Sequence, residues 1–494
     1  MKYKFKREKS WICLMGFMSI MIGQHLNAQI PMVAVNWGLI TKVSRTTPTL
    51  QVVGNPMLRS SSNIHKGSFD ALKSLGADYV RYVPWFPYPR LAVAELYPPT
   101  VEKTFWDFSL LDSMMNDFMS ATAGHSVVIN FSTIPVWMFK TKSTVLLPDD
   151  PNQVFWDYNQ GLELRDSSLR ELTDYYSRLF SWYTKGGFTD ELGKYHESGH
   201  NYKISYWEVL NEPDLEHNIS VRLYTRMYDA IVMALRQISP STKFVGISLA
   251  FSNEPDWFNY FLDPKNHGPG IPLDAISYHF YASPSPNQTL EQYQYSFFDQ
   301  AGGFSNKVKY IESIRRRLSP STMTTINEIG SIINTDPEKI PGDYWNLSGA
   351  LYAYIFLELT RIGIDVAGES QLVGFPTQFP DVSMIDWKNG RPNARYWVLK
   401  MIHDHFAPGD NIVSTHIEGN EDGILAQAFY TRSGRTILLA NLRNREITLA
   451  LPAASKGKSI ELVDGSTGEG QPVTRKLEEA SILLKPFAVA IVNM

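Results

Sequence analysis

The sequence predicts an α/β protein: a (β/α)8 TIM barrel followed by a small C-terminal antiparallel β-sandwich. Two observations carry that prediction. Between about Thr49 and Phe406, short apolar runs alternate with stretches of helical periodicity, the pattern of parallel strands joined by crossover helices. From Asn411 onward the helical periodicity stops, and short β-rich runs follow one another, separated by Gly, Asn and Ser.

The runs predicted as barrel strands are Thr49–Val53, Tyr79–Val83, Ser126–Phe131, Ile204–Leu210, Lys243–Leu249, Ala275–Tyr281, Thr324–Ile329 and Ile364–Ala367. Among the helices between them, Leu110–Met119 places Leu110, Leu111, Met114, Met115 and Phe118 on one face, as an amphipathic helix requires. Leu169–Tyr183, Val221–Gln237 and Leu347–Ile362 read the same way. Repeated units over this length, with insertions, suit a barrel better than an open sheet. The later runs Ile424–Tyr430, Thr436–Ala440, Ile447–Leu451, Ser459–Val463 and Phe487–Val492 suit a sandwich packed on the barrel. Met32–Val43 has no helix before the next strand and is a candidate to join that sandwich. The expected division is a leader at 1–28, a catalytic barrel at 29–408 from which 30–43 can be lent to the sandwich, and the sandwich at 409–494. A chain of 494 residues also exceeds what one compact core accommodates.

The leader is read from its pattern. Lys2, Lys4, Lys6, Arg7 and Lys9 precede an apolar run from Trp11 to Ile22 and a small-residue end at Leu26-Asn27-Ala28. This predicts a secretory signal peptide cut after Ala28, hence a secreted or periplasmic protein. The run is short for a membrane span; a retained anchor is the alternative. Cys13, the single cysteine, lies within the leader. The processed chain therefore has no disulfide, thiolate metal site or cysteine nucleophile. A net charge of −4 argues against nucleic acid or an anionic membrane as main partner, since both demand a cationic surface. Aromatic residues make up 13% of the chain. That suits a large core and equally a sugar site, where apolar pyranose faces stack on rings.

In such a barrel, chemistry sits at the C-terminal ends of the strands. Two acids fall there. Glu212 ends the run from Ile204, with Pro213 stopping the strand just beyond it. Glu328 ends Thr324-Thr-Ile-Asn-Glu328. Glycoside hydrolysis needs two carboxyl groups flanking one bond, one to protonate the leaving oxygen and one to attack the anomeric carbon. On the sixth strand, alternation puts Ser277, His279 and Tyr281 on one face and Ile276, Tyr278 and Phe280 on the other. His279 and Tyr281 then point into the barrel mouth; a core role is a reasonable alternative for His279 alone and a weaker one for the pair at the strand end. Arg81, at the end of the second strand, is either a buried partner for Glu328 or a sugar contact, and Asn130 on the third strand carries the same ambiguity.

These residues carry a resemblance. Trp207-Glu-Val-Leu-Asn-Glu-Pro213 resembles the fourth-strand Asn-Glu-Pro signature of the clan A retaining glycoside hydrolases. Ile326-Asn-Glu328 resembles their seventh-strand nucleophile, and His279-Phe-Tyr281 their sixth-strand motif. The Trp106–Asp112 helix entry and the trailing sandwich look most like family 39, which includes β-xylosidases and α-L-iduronidases. The resemblance implies Glu212 as acid/base, Asn211 as the ligand of the sugar 2-hydroxyl, and Glu328 as nucleophile supported by Tyr281 and Arg81. The eighth strand departs from the pattern. Where the clan places a tryptophan under the sugar, this chain reads Val366-Ala-Gly-Glu-Ser-Gln371. A polar floor from Glu369 or Gln371 is expected instead, with Trp85, Trp137 or Trp387 as substitute platforms unless they are core.

Two motifs compete for attention. Asn253-Glu-Pro-Asp256 repeats the tripeptide but opens an apparent helix, where Pro and acids are common first-turn residues. His196-Glu197-Ser-Gly-His200 matches the zinc-peptidase pattern, which works only on a helix, and Ser-Gly interrupts it here. The leading function is an exo-acting retaining glycosidase without metal or cofactor, acting on a glycoside or oligosaccharide. Insertions at Leu146–Leu164 and Lys185–Lys203 are the expected pocket wall. The alternatives are an endo-acting glycanase of the same clan and, from another class, a zinc peptidase using His196, Glu197 and His200.

Overall fold

A computed structural model describes residues 30–494 except 157, 159, 160, 251, 252, 334, 377, 378, 421 and 469; the leader expected at 1–28 lies outside the described residues. Eight parallel strands close into a barrel in chain order: β1 (Thr47–Gly54), β2 (Val80–Pro84), β3 (Val127–Ile129), β4 (Tyr206–Glu208), β5 (Lys243–Leu249), β6 (Ala275–Ala282), β7 (Met323–Ser331) and β8 (Val366–Glu369). Each strand leads to a helix: α1 (His65–Leu75), α2 (Ser109–Ala121), α3 (Arg170–Thr184), α4 (Val221–Ile238), α5 (Pro255–Phe261), α6 (Leu290–Leu318), α7 (Tyr344–Ile362) and α8 (Ala394–His405).

The helices form where the sequence supplies both a cap and a stripe. In α4, Ser220 Oγ accepts from the Leu223 N–H at 3.3 Å, which satisfies one orphan donor of the first turn. Tyr224, Met227, Tyr228, Ile231, Val232 and Leu235 are then buried along one face. Gly76 and Gly363 close α1 and α7 in the left-handed conformation, with φ of 64° and 97°; a residue with a Cβ resists that conformation. The sequence names no helix at α6, whose apolar positions are diluted by Gln, Gly and Ser over its first half.

Inside the barrel the side chains form layers. Val128, Tyr206, Val245 and Ala275, with Tyr79 and Met323, make an apolar plug. Two or three residues further along the same strands, Asn130, Glu208, Ser248 and Ser277 are buried polar groups, joined by Gln51, Arg81 and Asn327. Buried polar groups at this density persist only when they satisfy one another. The C-terminal mouth of the barrel rests on that layer.

A second sheet of nine strands covers one flank. Its order is Val473–Lys476, Ser459–Val463, Val489–Asn493, Gly434–Asn441, Ile424–Thr431, Asn411–Glu418, Met32–Val43, Ile447–Ala450, Ser481–Leu484. Met32–Val43 runs antiparallel to Asn411–Glu418, from Met32 opposite Glu418 to Val43 opposite Asn411. Ile437 and Leu439 join the sheet's own core, while Leu438 and Ala440 between them join the barrel's core. Alternate residues point to opposite faces, so a strand covered on both sides reads as the unbroken apolar run seen there. Among the described residues no helix is long and apolar enough to cross a membrane.

Candidate active site

A cavity of about 1220 Å³ opens at the C-terminal ends of the strands, and Asn211, Glu212, His279, Tyr281 and Glu328 all line it. Irregular backbone aims them. Leu210 and Glu212, just past β4, have φ of 61° and 41°; Ile247 and Ser248 in β5 have 65° and 45°. Each such left-handed residue costs about 1–3 kcal/mol, and such residues cluster at functional sites. The two segments brace each other, with the Glu212 N–H donating to the Ser248 carbonyl at 2.9 Å. In β7 the register against β6 slips between Ile326 and Glu328. Plain alternation would turn Asn327 and Glu328 to opposite faces. With the slip both turn inward, Asn327 Nδ2 donating to Glu208 at 2.8 Å and Glu328 accepting from Arg81 at 2.6 Å.

Arg81 is the hub of the polar layer. Its Nε meets Glu208; Nη1 donates to Gln51 and Glu328, both at 2.6 Å; Nη2 donates to Asn211 at 2.6 Å and to Ser248 at 3.0 Å. Guanidinium offers a rigid fork of five donors and no acceptor, so every group around it must present oxygen. Glu208 accepts in addition from Asn130, Ser277 and Asn327, so four donors surround its two oxygens.

Glu328 sits over Arg81, with Tyr281 Oη donating to its other oxygen at 2.7 Å. Tyr281 is held by Ser370 Oγ at 2.5 Å and by Gly330, where an added Cβ would lie 3.2 Å from the ring. His279 Nδ1 lies 2.8 Å from Glu212 and 3.6 Å from Glu328, and its Nε2 lies 3.3 Å from Ser248 Oγ. One ligand atom of each of Glu212, His279 and Glu328 lies within 4.8 Å of the others, the one such acid–histidine cluster among the described residues.

The environments of the two acids differ. Burial alone would raise Glu328, but the His279 charge, the Arg81 guanidinium and the Tyr281 hydroxyl outweigh it and hold Glu328 below the usual carboxylate range. Burial lifts Glu212 above that range; the hydrogen bond from His279 offsets this in part, and the charge of Glu328 adds to it. Burial disfavours a charged His279, yet Glu328 and Glu212 raise it above the ordinary imidazole value. A charged His279 donates through Nδ1 to Glu212 Oε1, so the Glu212 proton resides on Oε2. The charges then close: Arg81 and His279 balance Glu208 and Glu328.

Several sequence expectations move. Arg81 and Asn130 do not reach the cavity. Arg81 is spent on five partners, and Asn130 Nδ2 is spent on Glu208 at 2.7 Å and the Leu210 carbonyl at 2.9 Å. Glu369 faces the helix layer and pairs with Arg395 of α8 at 3.0 Å; Gln371 and Ser370 take the inward side instead. Gln371 lines the cavity. Trp137 lies under Arg165, 4.6 Å from its ring, with Nε1 on the Glu95 carbonyl, and Trp387 donates to the Gly374 carbonyl; neither lines the cavity. Trp85 does, in a wall with Phe86, Trp156 and Phe379. Trp156 and Tyr158 come from the insertion at 146–164, whereas 185–203 contributes nothing to the lining. That second segment is a hairpin, Gly187–Thr189 against Tyr195–Glu197. It follows the C-terminus of a helix, and such connections leave the barrel at the end away from the site.

His196 lies on that hairpin, 2.8 Å from Asp190, and His200 lies 3.4 Å from Asp112. The histidines hold separate carboxylates and share no helix. Asn253-Glu-Pro-Asp256 does open α5, with Pro255 in its first turn, although Asn253 also lines the cavity. Glu208, Glu216, Ser248, Ser370 and Trp156 escaped the sequence reading. Glu208, two residues before the irregular turn of β4, had a signal in the motif itself; the others depend on contacts between distant segments.

Residues 421–492 match the family model described as the D-apionate lactonase C-terminal immunoglobulin-like domain. That segment belongs to the flanking sheet and supplies no lining residue. No curated protein matches the sequence. Solved structures similar to the chain include a glucosidase from Croceicoccus marinus, with 15% identity, TM-score 0.61, and coverage of 94% of this chain and 98% of that one. A GH51 α-L-arabinofuranosidase from Thermotoga petrophila RKU-1 superposes at 12% identity and TM-score 0.63, covering 94% and 99%. A GH30 endoxylanase from Clostridium papyrosolvens C71 does so at 12% identity and TM-score 0.57, covering 93% and 99%. The chain shares with these glycoside hydrolases a barrel and an attached sheet along nearly its whole length.

Proposed function

We propose that this protein is a retaining glycoside hydrolase. The observation that carries the reading is the separation of Glu212 and Glu328, with one oxygen of each within 4.8 Å at the mouth of the barrel. Retaining enzymes hold their carboxyls about 5–5.5 Å apart, too close for the water that an inverting enzyme places between substrate and base. Glu328 attacks the anomeric carbon as the glycosidic C–O bond breaks, and the Glu212 proton passes to the departing oxygen. In the second half Glu212 removes a proton from water, which attacks the same carbon and frees Glu328. Asn211 binds the sugar 2-hydroxyl. His279 holds the acid by one oxygen and stabilises the charge on Glu328.

The substrate is a neutral glycoside. Glu212, Glu216 and Glu328 face the cavity, and apart from His279 the only basic side chain lining it among the described residues is Lys307, which is exposed. His279 is committed to Glu212 and Glu328, so a uronate carboxylate would find no basic side chain but Lys307 there among the described residues. This favours the β-xyloside side of the family 39 resemblance over the iduronide side. The aromatic wall supports exo action, and the leader would place the reaction outside the cytoplasm.

The test is hydrolysis of a panel of aryl glycosides, with the first-formed anomer read by proton NMR. Retained configuration is expected; an inverted product, or no hydrolysis across the panel, rejects the reading. Trp156 is 47% exposed at the wall and stacks on sugar. Trp156→Ala is expected to raise KM about threefold to tenfold with little change in kcat, the size of one aromatic contact; steady-state kinetics on the best aryl glycoside checks this.

A further inference from the structure

Glu216 lines the same cavity and has no part in the double displacement. It lies in the turn that leaves β4, where its N–H donates to the Glu212 carbonyl at 2.7 Å. Oε1 accepts from Trp85 Nε1 at 2.6 Å and from Asn211 Nδ2 at 2.8 Å. Oε2 is buried and has no hydrogen-bond partner among the described residues. A buried carboxylate with one bare oxygen is costly; a carboxylic acid that accepts at Oε1 and carries its proton on Oε2 leaves only an unpaired hydroxyl there, which costs far less than an unpaired charge. Burial raises Glu216 well above the usual carboxylate range, and the neighbouring acids Glu212 and Glu328 add to this. Arg81 and His279 are already balanced by Glu208 and Glu328, so neither is left to balance a charged Glu216.

Asn211 is consequently held at both ends. Its Oδ1 accepts from Arg81 at 2.6 Å and from Ser248 Oγ at 3.3 Å, and its Nδ2 gives one N–H to Glu216. A flipped amide would set NH2 against the donors of Arg81 and a carbonyl against the accepting oxygen of Glu216. The second N–H of Nδ2 is left with a fixed direction at the cavity wall.

We propose that Glu216 is a positioning residue, a carboxylic acid that aims the free N–H of Asn211 at the sugar hydroxyl beside the bond being broken and steadies Trp85 through the same oxygen. The proposal rests on the glycosidase reading of this cavity. A hydroxyl contact that tightens in the transition state acts on kcat more than on KM, and a misplacement near 1 Å can cost about 100-fold.

The test uses the best aryl glycoside of the panel with Glu216→Ala, Glu216→Gln, Asn211→Ala and the Asn211→Ala/Glu216→Ala double variant. Glu216→Ala is expected to lower kcat about 10- to 100-fold while KM stays within about threefold. The double variant should be no more than about threefold slower than Asn211→Ala, because the two act as one unit. Glu216→Gln, which mimics the protonated acid, should rescue most of the loss and leave the alkaline limb of the pH–rate profile in place. Additive losses, a Gln variant as slow as the Ala variant, or an alkaline limb moved to lower pH would each overturn the proposal. The last would reveal an ionised Glu216 that had been raising Glu212. If Glu216→Ala fails to fold, the Gln profile and an Asn211→Ala/Glu216→Gln pair decide by the same criteria. A wild type that gives retained product while these variants behave as wild type removes only this inference. A wild type inactive across the panel removes the functional reading together with it.

Discussion

Glu328→Gln is expected to stop turnover of every glycoside, by about 10⁴-fold or more, the scale on which losing a nucleophile acts. No covalent intermediate forms without its carboxylate, and no leaving group, however acidic, compensates. Glu212→Gln should behave differently. A leaving group such as dinitrophenolate departs without a proton, so the first step survives and the intermediate accumulates. Its hydrolysis lacks a base, and added azide should restore the rate and give a glycosyl azide of retained configuration. Azide rescue of Glu328→Ala with retained configuration, and none of Glu212→Gln, would reverse the two roles. The pH profile follows from the same environments. Glu328, held low by His279, Arg81 and Tyr281 against its burial, must be ionised, so activity falls in acid only below the usual carboxylate range. Glu212, held high by burial, must keep its proton, so the alkaline limb lies above that range and should vanish in Glu212→Gln on the activated substrate.

Arg81→Met should be the most damaging change outside the two acids. It leaves Glu208 and Glu328 buried without their cation, and breaking such a pair costs about 3–5 kcal/mol. Arg81→Lys is no remedy, since three mobile donors cannot span Gln51, Glu208, Glu328, Asn211 and Ser248. The linkage has a definite sign. Glu328 has a folded pKa below its ordinary 4.5, so its contribution to stability is present above the unfolded value and disappears as pH falls through the folded one. The gap in melting temperature between wild type and Arg81→Met should therefore be widest near neutrality and narrow below about pH 4. The remaining activity of Arg81→Lys should show its acid limb moved to higher pH. Equal melting temperatures at pH 7, or an unmoved limb, would mean that Arg81 does not set the nucleophile.

Much of the barrel and its acids was legible in the sequence because local rules decide them. Buried parallel strands are apolar runs, and Lys243–Leu249 was read to the residue. β4 ends at Glu208, short of the stop expected at Pro213, and Glu212 stands in the irregular turn beyond it. Alternation along β6 does bring Ser277, His279 and Tyr281 inward, where they meet Glu208, Glu212 and Glu328. Alternation fails where the backbone is irregular. Nothing in Ile326-Asn-Glu328 announces the slip that turns two consecutive residues inward, and nothing in Val366–Gln371 says that Glu369 meets Arg395 while Ser370 and Gln371 take the inner side. Arg81 and Asn130 were rightly singled out as polar residues in apolar strands. Their task depends on Glu208 of another strand and on Asn211 in the turn beyond it, and only closure of the barrel brings these within reach. The sequence by itself thus determined which strands form and which acids stand at their ends, since both follow from neighbours along the chain. The tertiary structure decided which polar groups support those acids and which reach the cavity, because hydrogen bonds between distant segments, such as that from Arg81 to Glu328 across 247 residues, settle it.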